Sequence, residues 1–179
     1  QCMEDEPQFQ NAEAYRSMAA ICRKSMPGVR IHDPVECTDI GGALDVWVVK
    51  QATFEKYREE YEKYISLGEE MWLYTCGFPA GKTMNRIIDL PLSASLLPMW
   101  MCYKYGTPGF LHWGYNFYNT VLSDEAIDPY MVNDGAGGFQ SGDAFIVYPG
   151  EDGALDSIRH ETFYDGLQDM RLLYTLEGK

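Results

Sequence analysis

The chain predicts an α/β protein built on a parallel sheet, and three observations carry that prediction. Short β-branched or apolar runs alternate with longer helical stretches along the 179 residues. The linkers between them are short, as serial strand–helix units require. Hydrophobic residues make up 46% and charged residues 23%, an ordinary globular balance that argues against disorder.

The elements follow in order. Asn11 to Met26 is predicted helical, with Tyr15, Met18, Ala19 and Cys22 on one face and Pro27-Gly28 as the stop. Val29 to His32 is a short strand candidate, and Asp45 to Lys50 is a β-branched run of strand length. Thr53 to Leu67 is the clearest helix: Phe54, Tyr57, Tyr61, Tyr64 and Ile65 form its stripe, Thr53 can cap it and Gly68 ends it. Met71 to Tyr74 is the next strand. Leu92 to Tyr105 is helical, with Leu96, Leu97 and Trp100 expected to face inward, and Gly109 to Trp113 is another strand. A long loop from Tyr115 to Gly142 contains Gly-Ala-Gly-Gly at 135–138 and precedes a strand at Ala144 to Tyr148. Ser157 caps a last helix whose stripe is Phe163, Leu167, Met170 and Tyr174. A doubly wound sheet and a barrel fit this pattern equally well. No G-x-G-x-x-G or P-loop marks a nucleotide site.

Charge and composition narrow the partners. There are 27 acidic and 14 basic residues, a net of −13, and such a surface repels phosphate backbones, so nucleic acid is not an expected partner. No apolar run approaches the roughly 18–20 residues of a membrane helix, and the first residues carry no basic-then-apolar signal pattern. Cys2, Cys22, Cys37, Cys76 and Cys102 are scattered without C-x-x-C spacing and read as free thiols. His112 and His160 lack partners at metal spacing, so neither a metal nor another cofactor is expected. The 13 Tyr and 4 Trp suit a ring-rich core, and flat rings also pack on the C–H face of a sugar.

Sites in this fold class lie at the C-terminal ends of strands. That rule selects Asp5-Glu6-Pro7, His32-Asp33, the stretch from Tyr74 to Pro79, and Trp113 with Tyr115 and Asn116. Adjacent carboxylates suit glycoside hydrolysis, which needs one protonated and one charged group; a solvated acidic turn at a helix start is the plainer account of the pair. Trp113 and Asn116 suggest a sugar platform with a hydroxyl-reading amide, against a buried layer Trp and a turn Asn. Trp47 and Tyr115 are further candidate substrate contacts, with core packing the plainer account of Trp47.

The order of motifs adds to this. Asp5-Glu6-Pro7, Trp72-Leu-Tyr-Thr-Cys76 and Arg86-Ile-Ile-Asp-Leu-Pro-Leu92 stand in a fixed sequence. Gly109-Phe-Leu-His-Trp-Gly-Tyr-Asn116, Asp128-Pro-Tyr130, Tyr148-Pro-Gly150, and Ser157-Ile-Arg-His-Glu161 with Asp165-Gly-Leu-Gln-Asp169 follow. Together they resemble the catalytic domain of glycoside hydrolase family 123 and its uncharacterised relatives. The resemblance implies a (β/α)8 TIM barrel acting as an exo-β-N-acetylgalactosaminidase, in which the sugar's 2-acetamido oxygen attacks the anomeric carbon. By position, it implies Glu6 as the acid/base and Asp5 as the group that holds the acetamido N–H. Tyr74 is then the candidate donor to the acetamido oxygen, Trp113 the ring under the sugar, and Asn116 a hydroxyl contact.

The family's barrel has three further βα units ahead of the Asp-Glu pair, whereas this chain starts four residues before it. The expectation is therefore a single partial barrel domain over 1–179, from the end of strand four to helix eight, with an upstream half elsewhere. The resemblance also implies a bacterial enzyme of the periplasm or exterior, acting on N-acetylhexosamine-containing glycans. Two alternatives stand beside it: a related glycosidase with another sugar specificity, and a carbohydrate-binding domain without turnover.

Overall fold

The computed structural model describes residues 5–77, 84–120, 125–132 and 139–178. The Gly-Ala-Gly-Gly run at 135–138, part of the predicted loop, lies outside them, as do Cys2 and Pro79. The chain forms two compact units. One is Gln1–Tyr74 with Gly106–Leu111, and the other is Thr75–Tyr105 with His112–Lys179.

The first unit opens with a 3-10 turn at Phe9–Asn11 and helix α1, Ala12–Ser25. Strands β1, His32–Val35, and β2, Val46–Lys50, follow. Helices α2, Gln51–Lys56, and α3, Arg58–Ser66, lead to β3, Glu70–Tyr74, and β4, Gly109–Leu111, returns to the same sheet. The four strands are parallel and lie in the order β1-β2-β3-β4. β1 sits three residues later than the predicted strand at 29–32. Pro34 fits because β1 is an edge of this sheet, where a missing N–H costs no ladder bond.

Register sorts the side chains. Asp33 pairs with Trp47 and Trp47 with Met71, so these share one face with Val35, Val49 and Leu73. That face carries the helices: Tyr15 of α1 donates its hydroxyl to Asp33 at 2.6 Å, and Trp47 stacks on Tyr64 of α3 at 4.9 Å and meets Tyr61 edge-on. Tyr15, Phe54 and Tyr61 are fully buried there. The opposite face carries His32 and Pro34, then Val46, Val48 and Lys50, then Glu70, Trp72 and Tyr74. Trp72 lies across Gly109 of the neighbouring strand, where a Cβ would come within 2.5 Å of the indole.

Two details of the predicted helix at 53–67 change. It breaks at Tyr57, whose backbone leaves the helical region at φ −116°, ψ 37°. Thr53 is not its cap, because the helix starts directly after β2 at Gln51 and the Thr53 hydroxyl donates instead to Glu36 at 2.9 Å. Gly68 does end it, in the left-handed region at φ 91° with its N–H on Ile65 O. On α1, Met18 is exposed, and Ala12 joins Tyr15, Ala19 and Cys22 on the buried face.

The second unit contains α4, Ser93–Tyr105, a short antiparallel pair of β5, Tyr148–Pro149, with β6, Ala154–Leu155, and α5, Ile158–Leu176. Ser157 caps α5 as predicted, accepting the His160 N–H. Of the predicted strand at 144–148, only Tyr148 joins a sheet, as the first residue of β5. Residues 144–147 run instead beside 115–117, with Ile146 N on Tyr115 O and Phe117 N on Ala144 O. On α4 the expected inward face is rotated: Ala94, Ser95, Pro98, Met99 and Cys102 are buried while Leu97 and Trp100 are exposed. Trp100 is amphipathic and donates to Asp169 of α5 at 3.0 Å. Gly166 of α5 lies against Leu96 O of α4, so the helices approach with no side chain between them at that point.

Candidate active site

At the C-terminal ends of the strands in the first unit, three elements present charged or hydroxyl groups to one another. Lys50 ends β2 and Tyr74 ends β3, and the two are register partners, so both side chains leave the same face. Glu36 follows β1 directly. Its N–H donates to Pro7 O at 3.1 Å, which ties the Glu6-Pro7 segment alongside the end of that strand.

Glu6 is the centre of the cluster. Lys50 Nζ lies 2.9 Å from its Oε1 and 3.0 Å from its Oε2. The Tyr74 hydroxyl donates to Oε1. The same ammonium reaches Glu36 Oε1 at 2.6 Å, and Glu36 Oε2 accepts from Thr53. Lys50 therefore bridges two carboxylates while its Nζ sits 5.4 Å from the Tyr74 ring centre. Burial alone would push the Lys50 ammonium down, but the hydrogen bonds and charges of Glu36 and Glu6 outweigh it and raise its pKa.

Glu6 is also held in an unusual backbone state. Its φ of 51° makes it the one non-glycine residue in the left-handed region among the described residues. That conformation costs about 1–3 kcal/mol and persists where surrounding contacts over-determine it, which is common at functional positions. Asp5 is exposed, and no side-chain hydrogen bond or ion pair to it occurs among the described residues.

Of the other predicted residues in this unit, Trp47 belongs to the core. Its ring is fully buried between Tyr61 and Tyr64, and its indole N–H donates to Glu69, so it has no face to offer a ligand. His32-Asp33 opens β1 rather than ending it, and Asp33 is the buried acceptor of Tyr15.

In the second unit Trp113, Tyr115 and Asn116 are all exposed. Trp113 is held at its polar edge: Nε1 donates to the buried Asp143 at 2.8 Å, and its ring is flanked by Phe139 at 5.2 Å and Phe117 at 5.5 Å. The other Asp143 oxygen lies 3.2 Å from His112 Nε2. His112 Nδ1 accepts the Gly114 N–H at 3.1 Å, which assigns the ring proton to Nε2 as the donor to Asp143. Burial, reinforced by the charge of Arg86, pushes His112 down to about 4, so this contact joins a neutral ring to a carboxylate. Tyr115 makes a long 3.4 Å contact to His160 Nε2, and Asn116 pairs through its backbone with Phe145.

Arg86 and Arg159 come from two of the sequence motifs, and both are buried. Arg86 donates to Gly114 O at 2.5 Å, while Arg159 donates to Arg86 O, to Gly142 O at 2.9 Å and to Phe145 O at 2.8 Å. They organise the loop that carries Trp113. Burial and mutual repulsion push Arg86 down to about 9.

The chain matches the model of the glycoside hydrolase 123 catalytic domain over residues 1–176. It belongs to that family. No curated protein matches it. Membership in family 123 makes the chain a glycoside hydrolase domain, and it agrees with the resemblance that its motif order implies.

Family membership rests on the match over residues 1–176, and the geometry adds Lys50 and Glu36 beside Glu6. Lys50 lay inside a β-branched run and read as a strand terminus. Glu36 is hidden in the sequence because the apolar residues at 29–32 put His32-Asp33, and not Glu36, at the predicted strand end. The strand-end rule points to Lys50 at the predicted boundary already, and to Glu36 only at the observed end of β1.

Proposed function

We propose that this family 123 domain hydrolyses terminal β-linked N-acetylgalactosamine by substrate-assisted retention, with Glu6 as acid/base. One observation carries the reading: Glu6 sits at strand ends in a left-handed backbone conformation, its carboxylate gripped by Tyr74 and Lys50. In the first step the Glu6 carboxyl gives its proton to the glycosidic oxygen. The C1–O bond breaks toward that oxygen as the acetamido oxygen bonds to C1. In the second step Glu6 takes a proton from water, whose oxygen displaces the acetamido group from C1. Asp5 would accept the acetamido N–H, a role that its exposed side chain leaves open. Trp113 is the proposed ring under a sugar, supported by its exposure and its fixed edge, with Tyr115 and Asn116 as further contacts.

The sheet is read as an arc of a (β/α)8 TIM barrel, running from the end of the barrel's fourth strand. Its strands are parallel and in sequential order, and residues 5–7 lie beside β1 as the end of a preceding strand would. A neutral glycan in the periplasm or outside the cell is the partner in this reading.

The test is release of 4-nitrophenol from the aryl β-N-acetylgalactosaminide by the full-length protein, wild type beside Glu6→Gln. Turnover by the wild type and its loss in the variant is the expected result; a well-folded wild type without turnover would overturn the sugar assignment. One observation favours a second reading, a sugar without the acetamido group: the Tyr74 hydroxyl is already engaged by Glu6. Tight inhibition by a thiazoline analogue of the N-acetyl sugar decides for the first reading, and weak inhibition for the second.

A further inference from the structure

Among the described residues, Lys50 and Glu36 are charged groups near Glu6 that the catalytic scheme above does not employ. We infer that Lys50 is a positioning residue for Glu6, and that Glu36 holds the Lys50 ammonium in place throughout turnover. The inference rests on the reading of Glu6 as acid/base.

The geometry is that of a shared cation. Lys50 Nζ contacts both Glu6 oxygens at 2.9 and 3.0 Å and Glu36 at 2.6 Å. Its side chain is only 17% exposed, so water competes weakly for it. Among the described residues, Lys50 from β2 and Tyr74 from β3 contact Glu6, Glu36 after β1 contacts Lys50, and Asp5 is exposed beside them.

When the Glu6 O–H bond breaks and its proton passes to the glycosidic oxygen, a negative charge appears on the Glu6 carboxylate. Lys50 already stands where that charge develops, and such preorganised charge acts without solvent reorganisation. When Glu6 is protonated, the ammonium is not stranded, because Glu36 remains its partner. Thr53 fixes the far oxygen of Glu36, which leaves the near one for Lys50. Glu6 can thus change charge twice per cycle against a stationary cation.

A residue that aligns the acid affects only reactions that need the acid. In the full-length protein, Lys50→Met is expected to lose ~10²-fold in kcat/KM on a phenyl glycoside, whose leaving oxygen must be protonated. On the 2,4-dinitrophenyl glycoside of the same sugar, which leaves as a stable anion, the loss is expected to stay below ~10-fold. Lys50→Arg, which keeps the charge, should recover most of the difference. Equal losses on both substrates, or no loss, would overturn the inference. Should Lys50→Met not fold, Lys50→Gln is read by the same ratio. The ratio is taken on whichever sugar the protein cleaves, so a wrong sugar assignment sinks the proposed function and leaves this inference standing. If no aryl glycoside is cleaved, a crystal structure of the Lys50 variant decides: Glu6 displaced from Tyr74 supports the inference, and Glu6 unmoved overturns it.

Discussion

Tyr74 donates its hydroxyl to the carboxylate of Glu6, a residue 68 positions earlier in the chain. The bond joins the end of β3 to the segment ahead of α1 and fixes one oxygen of the proposed acid/base. A hydrogen bond to a charged group contributes about 1.5–3 kcal/mol. Tyr74→Phe keeps the buried ring and deletes this bond. Steady-state kinetics should show kcat/KM lower by roughly 10–100-fold, and a melting curve should show a thermal midpoint lower by about 3–12 °C.

Trp47 is a stability residue and not a sugar contact. Its ring is fully enclosed and stacked on Tyr64, and removing such a side chain costs about 3–5 kcal/mol. Urea unfolding of Trp47→Ala should show that loss. A variant with unchanged stability and impaired sugar binding would return Trp47 to the site.

His112 predicts how stability responds to acid. Its folded-state pKa, about 4, lies below the ordinary value of 6.5, because the ring is buried next to Arg86. Above pH 6.5 both folded and unfolded chains carry it neutral, and its contribution is fully present. As pH falls from 6.5 toward 4, the unfolded chain binds a proton that the folded one refuses, so stability drops, by about 3 kcal/mol at the end of that window. Denaturant titrations at pH 7 and pH 4 should show His112→Gln losing less than wild type by that amount. Equal losses would mean that the ring is charged in the fold.

Gly166 sets two effects against each other. In an isolated helix, alanine is favoured over glycine by about 1 kcal/mol. Here the new Cβ would stand 2.7 Å from the Leu96 carbonyl oxygen, backbone that cannot swing aside. Forcing atoms into a packed contact costs about 1–3 kcal/mol. Gly166→Ala is therefore expected to destabilise by about 1 kcal/mol net, measured as a lower urea midpoint with an unchanged slope.

The sequence was most legible where one local pattern decided the outcome. β2 and β3 follow β-branched and apolar runs, and α5 begins at its Ser157 cap. Glu6 stood out as half of an acidic pair. What escaped depends on partners distant in sequence. β1 lies three residues later than its apolar residues suggest, since pairing with β2 sets the register of His32 to Val35. The stretch from Ala144 to Val147 has strand composition yet is buried as a loop, because Arg159 and the backbone of 115–117 take up its polar groups. α4 turns Trp100 outward because Asp169 of another helix receives its N–H. Lys50 and Glu36 were invisible as a pair for the same reason: only the parallel register brings their strand ends together.

The indole of Trp72 resting over Gly109 has a historical consequence. The two positions belong to neighbouring strands and cannot drift separately. Any side chain introduced at 109 meets the ring at 2.5 Å, whereas a smaller residue at 72 leaves room for one. Substitution must therefore proceed in a fixed order, with 72 shrinking before 109 grows. Among relatives, a chain with a bulky residue at the position of Gly109 should carry a small one opposite it.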